Sequence, residues 1–142
     1  MSDSVLLDIQ GPIATLKMNR PDARNAMSIE ILQAFHSALD QLADSDAHVL
    51  VITGVGRAFC AGMDLKAVLI ELSGDPTLGG QLLSSLAELT IKLRALPMVT
   101  LASINGAAIG GGCGLSCVCD ISITYKEAKL GFPEVDLGIC PA

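Results

Sequence analysis

His48-Val-Leu-Val-Ile-Thr-Gly-Val-Gly56 is an apolar run of strand length closed by two glycines, the pattern of a strand buried on both faces that ends in a sharp turn. Upstream, Ser28 stands where it can cap a helix whose apolar positions Ile29, Leu32, Phe35, Leu39 and Leu42 share one face. Before that helix, Val5 to Ile9 and Ile13 to Met18 flank Gly11-Pro12 and predict a hairpin. Downstream, a second helix is expected from near Asp64 and a third over Gln81 to Leu96, closed by Pro97. Met98 to Ile104 reads as a strand, Asn105 to Gly112 as a glycine-rich connection, Cys113 to Val118 as a short helix and Ile121 to Thr124 as a last strand. Strands alternate with helices, and no segment repeats at a solenoid period, so the class is α/β.

The 142 residues suit one domain with a real core. Hydrophobic residues make up 51% and charged ones 17%, which excludes a disordered chain. Nine basic against fifteen acidic residues give a net charge of -6 without a basic cluster, so no nucleic-acid surface is expected. The acidic N-terminus MSDSVLLDIQG lacks the base and long apolar core of a secretory signal. Together with five cysteines, an odd number mostly crowded into Cys113, Cys117 and Cys119, it points to a reducing, cytoplasmic setting. That cysteine cluster has no fourth ligand at zinc spacing, so no metal site is expected. Ala95 to Cys119 is uncharged, but Pro97, Asn105 and a run of glycines argue against a membrane span, and none is expected.

Chemistry concentrates in Thr53-Gly-Val-Gly-Arg-Ala-Phe-Cys-Ala-Gly-Met-Asp-Leu-Lys66 and Asn105-Gly-Ala-Ala-Ile-Gly-Gly-Gly-Cys-Gly-Leu115. Each joins a strand to an expected helix, where the first N–H groups lack intrahelical partners and glycine admits close approach, so each can offer donors to an oxyanion or phosphate. Neither matches a phosphate-binding P-loop, and Gly54-Val-Gly56 lacks the third glycine of a dinucleotide fingerprint. His36 and His48 lie far in sequence from any nucleophile, which leaves a Ser-His or Cys-His pair unsupported.

Four ordered blocks together resemble the crotonase superfamily, the enoyl-CoA hydratase/isomerase family. Asn19-Arg-Pro-Asp-Ala-Arg-Asn-Ala-Met27 is similar to its early NRP-x-x-x-NA(L/M) block, and Arg57-Ala-Phe-Cys-Ala-Gly-Met-Asp-Leu65 to its first oxyanion loop. The glycine loop ending at Gly112 is similar to its second, and Cys119-Asp-Ile121 with Phe132-Pro-Glu-Val-Asp-Leu-Gly138 to the elements that place a catalytic acid. The resemblance implies a crotonase-like spiral of ββα units and an acyl-CoA thioester as substrate, with coenzyme A part of that substrate and no separate cofactor. It further implies Met63 and Gly111 as backbone oxyanion donors, Glu134 as general acid/base, and an acyl-CoA path along Ala61, Gly62, Met63, Asp64, Leu65 and Lys66 beside Gly111. Asp136 is a weaker substitute for Glu134, and Asp120 reads as structural.

The chain departs from the two-glutamate hydratases at Gly114, where they carry their first glutamate. Water addition by that route uses two carboxylates, whereas one group can shuttle a proton between carbons, so the departure favours isomerase chemistry. The same glycine form occurs in branched-chain hydratase-like and hydrolase-like members. Family members also continue past this point into helices that complete the coenzyme A site and build a homo-oligomer, a trimer or dimer of trimers. The sequence runs to Cys140-Pro-Ala142, so a core lacking those helices is expected to expose apolar surface. An acyl-CoA enzyme, a non-catalytic acyl-CoA binder and a thioester hydrolase are therefore the competing functions.

Overall fold

The computed structural model describes residues 4–64, 78–138 and 140. Strand β1 (Val5–Gln10) pairs antiparallel with β2 (Ile13–Met18) through Gly11, whose φ of 57° suits the tight connection. Helix α1 (Ile29–Ala43) starts at Ser28, whose side chain accepts from the Ile31 N–H. That bond satisfies one of the donors a helix N-terminus leaves open.

Strands β3 (Val49–Gly54) and β4 (Ala58–Cys60) precede helix α2 (Leu78–Arg94). Strands β5 (Val99–Ile104) and β6 (Ala107–Ile109) precede helix α3 (Gly111–Val118). Strands β7 (Ile121–Thr124) and β8 (Leu130–Gly131) precede a 3-10 turn over Pro133–Leu137. The order is thus a ββα unit repeated, as the crotonase-like spiral requires. The second expected helix, from near Asp64, falls largely outside the described residues.

Two sheets result. The larger has the order β1-β2-β3-β5-β7 and is parallel apart from β1–β2; the smaller has the order β4-β6-β8 and is parallel. Leu16, Met18, Leu50 and Ile52 from the large sheet pack with Phe35, Leu39 and Leu42 of α1 and Leu86, Leu89 and Leu93 of α2 in one core.

The expectation that β3 is buried on both faces needs correction. Leu50 and Ile52 are buried, but Val49 and Val51 are only half-buried, because the described helices pack on one face of the sheet. On the other face Leu6, Ile13, Val99, Ile121 and Ile123 are 41–57% exposed. Among the described residues, no helix is long and apolar enough to cross a membrane, and no group of three or more His, Cys, Asp or Glu is placed to hold a metal ion.

Candidate active site

The two glycine loops leave the adjacent strands β3 and β5 and run side by side as the parallel pair β4–β6. Asn105 staples their bases together. Its Oδ1 accepts from the Gly54 N–H at 3.1 Å, and its Nδ2 donates to Gly54 O at 2.7 Å and Gly56 O at 3.0 Å. A buried Asn25 holds the first loop from the other side, its Nδ2 donating to Val55 O at 3.0 Å and Ala58 O at 2.8 Å.

The glycines let the main chains touch. A Cβ on Gly106 would collide with Arg57 O, one on Gly112 with Cys60 O, and one on Gly62 would lie 2.8 Å from Ile109 O and 3.7 Å from Gly111 N. The two loops are therefore in contact at their bases, middles and tips, which places Met63 and Gly111 on neighbouring stretches of backbone.

The surrounding backbone sets the direction of both amides. Met27 bridges the first loop: its N–H donates to Gly62 O at 2.7 Å, and its carbonyl accepts from the Asp64 N–H at 2.9 Å. Successive N–H groups of extended backbone alternate sides, so this bridge turns the Met63 N–H away from Met27. Gly111 is the first residue of α3, where an N–H has no intrahelical acceptor, and the helix dipole adds partial positive charge. Apolar groups crowd the same spot: a Cβ on Gly111 would lie 3.3 Å from a methyl of Leu86 and 3.5 Å from the Met27 sulfur.

Glu134 comes to this place from the 3-10 turn after β8. The β6–β8 pairing and the bond from the Gly110 N–H to Gly131 O at 2.9 Å bring the turn alongside Gly110. A Cβ on Gly110 would lie 2.5 Å from Glu134 Oε1 and 3.5 Å from Oε2, so the carboxylate rests on that Cα, one residue from Gly111. Its Oε2 is buried with no hydrogen-bond partner among the described residues. A buried acceptor without a protein partner is rare and demands an explanation.

The other expected site residues take varied places. Ala61 donates its N–H to Arg24 O at 3.0 Å, and Gly62 has a φ of 88°. Asp64 meets the Arg20 guanidinium at 3.2 Å. Leu65 and Lys66 lie outside the described residues, and Asp136 is exposed. Asp120 holds the bases of β5 and β7 together, its Oδ2 accepting from the Thr100 N–H and hydroxyl, both at 2.8 Å. The Thr100 N–H and then its hydroxyl, with Arg94 beyond them, keep the Asp120 carboxyl below its ordinary range.

Burial above all pushes the Cys60 and Cys119 thiols up to about 11, which disfavours their thiolate forms. His36 Nε2 lies 3.1 Å from Ser85 O and 3.2 Å from Ser85 Oγ. The carbonyl can only accept, so in the tautomer with its hydrogen on Nε2 the ring donates to Ser85 O.

Sequence reasoning gave no separate role to Arg20, Arg24 or Arg57. Arg24 and Arg57 line an open cleft of about 550 Å³ with Pro21, Asp22, Gly56, Ala58 and Ala107. Arg24 and Asn25 both have positive φ, 52° and 56°. Non-glycine residues hold such angles only where their surroundings demand it, and Asn is the more tolerant of the two.

The enoyl-CoA hydratase/isomerase family model matches residues 8–142. The 2,3-dehydroadipyl-CoA hydratase of Escherichia coli is 34% identical over 96% of this chain and 52% of its own length. The short-chain-enoyl-CoA hydratase of Clostridium acetobutylicum is 33% identical over 98% of this chain and 53% of its own. The crystal structure of an enoyl-CoA hydratase from Bacillus anthracis superposes with a TM-score of 0.89 at 31% identity, covering 98% of this chain and 54% of the other. The chain thus spans about half the length of the curated relatives it matches.

Proposed function

The chain belongs to the enoyl-CoA hydratase/isomerase family, and from that premise we propose that it moves a proton beside the thioester of an enoyl-CoA, with Glu134 as the acid/base. Glu134 takes a proton from one carbon of the acyl chain, the electron pair delocalises onto the thioester oxygen, and the same proton returns to a second carbon. The Met63 and Gly111 N–H groups hold the enolate oxygen in between; fixed donors of this kind are each worth about 10²–10³ in rate. The observation that carries the reading is the Glu134 carboxylate on Gly110, one oxygen buried and without a hydrogen-bond partner among the described residues, beside the first turn of α3.

Helix α3 has the sequence GGCGLSCV and bears no carboxylate. This supports double-bond migration, which needs one proton shuttle, over hydration with two carboxylates. Met27, Met63 and Leu86 supply apolar surface for the acyl chain around Gly111. Arg24 and Arg57 offer cationic heads to the phosphates of coenzyme A, and Arg24 O is tied to the Ala61 N–H of the first loop. Homo-oligomeric assembly and a cytoplasmic setting complete the reading, supported by the exposed apolar sheet face and the free thiols.

The test offers trans-2-, cis-3- and trans-3-enoyl-CoA to the protein and follows substrate loss, product and free thiol. Glu134→Gln is expected to lower turnover about 10²–10⁴-fold, the usual span for a positioned acid/base. Turnover equal to that of the parent would remove Glu134 from the reaction, and release of free thiol would point to hydrolysis instead.

A further inference from the structure

Arg20 sits at the end of β2, outside both glycine loops, yet it reaches the first of them. Its Nη1 donates to Ala26 O at 3.0 Å, and Nη1 and Nη2 both meet Asp64 Oδ2 at 3.2 Å. The pair is largely shielded, with side chains 29% and 16% exposed. Ala26 precedes Met27, and Asp64 follows Met63. The bridge is parallel, so one guanidinium reaches diagonally across it, from the residue before Met27 to the residue after Met63, and ties its two strands together, while Met27 fixes Gly62 O and the Asp64 N–H.

We infer that Arg20 is a positioning residue, which through Asp64 and Ala26 O sets the direction of the Met63 N–H. This rests on the oxyanion role given to that amide above. Arg20 is assigned to hold the loop, not to touch the acyl group. It acts by stopping the Gly62–Met63–Asp64 peptides from rotating, a freedom that Gly62 with its φ of 88° would otherwise permit. A planar fork suits the task because it spans two acceptors at once, and a lysine ammonium on a flexible stem does not hold that geometry.

The experiment compares Arg20→Gln, Arg20→Lys and Asp64→Asn by steady-state kinetics on enoyl-CoA and by amide hydrogen exchange. Misplacing a reacting group by about 1 Å costs about 10²-fold, so Arg20→Gln should lower kcat roughly 10- to 100-fold with KM within about threefold. Arg20→Lys should recover part of the loss. The Met27 and Asp64 amides should exchange at least about tenfold faster in Arg20→Gln, while Leu50 and Ile52 in the core stay unchanged. Asp64→Asn, nearly the same shape, serves if Arg20→Gln does not fold.

If the parent turns over and the variants keep kcat within about twofold, the inference is overturned. If the parent turns over no enoyl-CoA, the proposed function fails and exchange alone decides. Faster exchange confined to Met27 and Asp64 then upholds the clamp, and unchanged exchange removes it.

Discussion

Replacing Gly110 with alanine tests the contact that links the second loop to the acid. The new methyl would sit 2.5 Å from Glu134 Oε1 and 3.3 Å from its Cδ. Ordinary contact is about 3.5 Å or more, so the carboxylate must retreat by roughly 1 Å. It is the far end of a flexible side chain and can move, so packing alone costs little. The backbone cost is separate: Gly110 has φ 54° and ψ -124°, a region that charges an L-residue about 1–3 kcal/mol. For a chain of this size that lowers Tm by roughly 3–10 °C. A 1 Å shift of a reacting group is worth about 10²-fold in rate. Thermal melts and kcat on the preferred enoyl-CoA measure the two effects. The double variant Gly110→Ala/Glu134→Gln should be no slower than Glu134→Gln alone, since both act through one carboxylate. A folded Gly110→Ala protein with kcat within about threefold of the parent would show that this contact does not set the position of the acid.

Gly112→Ala drives a methyl into the main chain at Cys60, so urea unfolding should show a loss of about 1–3 kcal/mol or more. Gly80→Ala meets nothing within 4 Å on α2 and should gain about 0.5–1 kcal/mol in the same assay. The Asp120 carboxyl is held below its ordinary value of 3.8, chiefly by the Thr100 N–H. A depressed carboxylate contributes stability that is present above its unfolded value and lost as pH falls through the lower folded one. Asp120→Asn should therefore lie furthest below the parent in Tm near neutrality, with the gap closing as the pH drops below 3.8. Native alkylation at pH 8 followed by peptide mass mapping should label the exposed Cys117 and Cys140 and spare Cys60 and Cys119, which burial chiefly pushes up to about 11.

Elements with their own signal were legible in the sequence. Ser28 and the Ile29-to-Leu42 periodicity mark α1, Gly11-Pro12 marks the hairpin, and Pro97 lies just past the end of α2 at Arg94. The smaller sheet was not legible. Ala58–Cys60, Ala107–Ile109 and Leu130–Gly131 are two or three residues long, too short for alternation to register, and they exist only because glycines let the two loops zip together. The β3 run misled for a related reason: apolar composition reports tolerance of burial, whereas coverage is decided by where helices pack.

At the site, Met63, Gly111 and Glu134 came from block resemblance, while Arg20 had no separate assignment because its partner Asp64 stands 44 residues away. No local pattern encodes such a pair. The same holds for Asn25 and Asn105, whose side chains stand in for missing ladder bonds across 33 and 51 residues.

A crystal structure of the chain with an unreactive acyl-CoA analogue bound would show whether the two loop amides and Glu134 meet one thioester. The thioester oxygen is expected within about 2.7–3.1 Å of both the Met63 and Gly111 nitrogens, with a Glu134 oxygen facing the adjacent carbon. A thioester seated away from those two amides, or one bound with the Glu134 carboxylate turned from the acyl chain, would contradict that expectation.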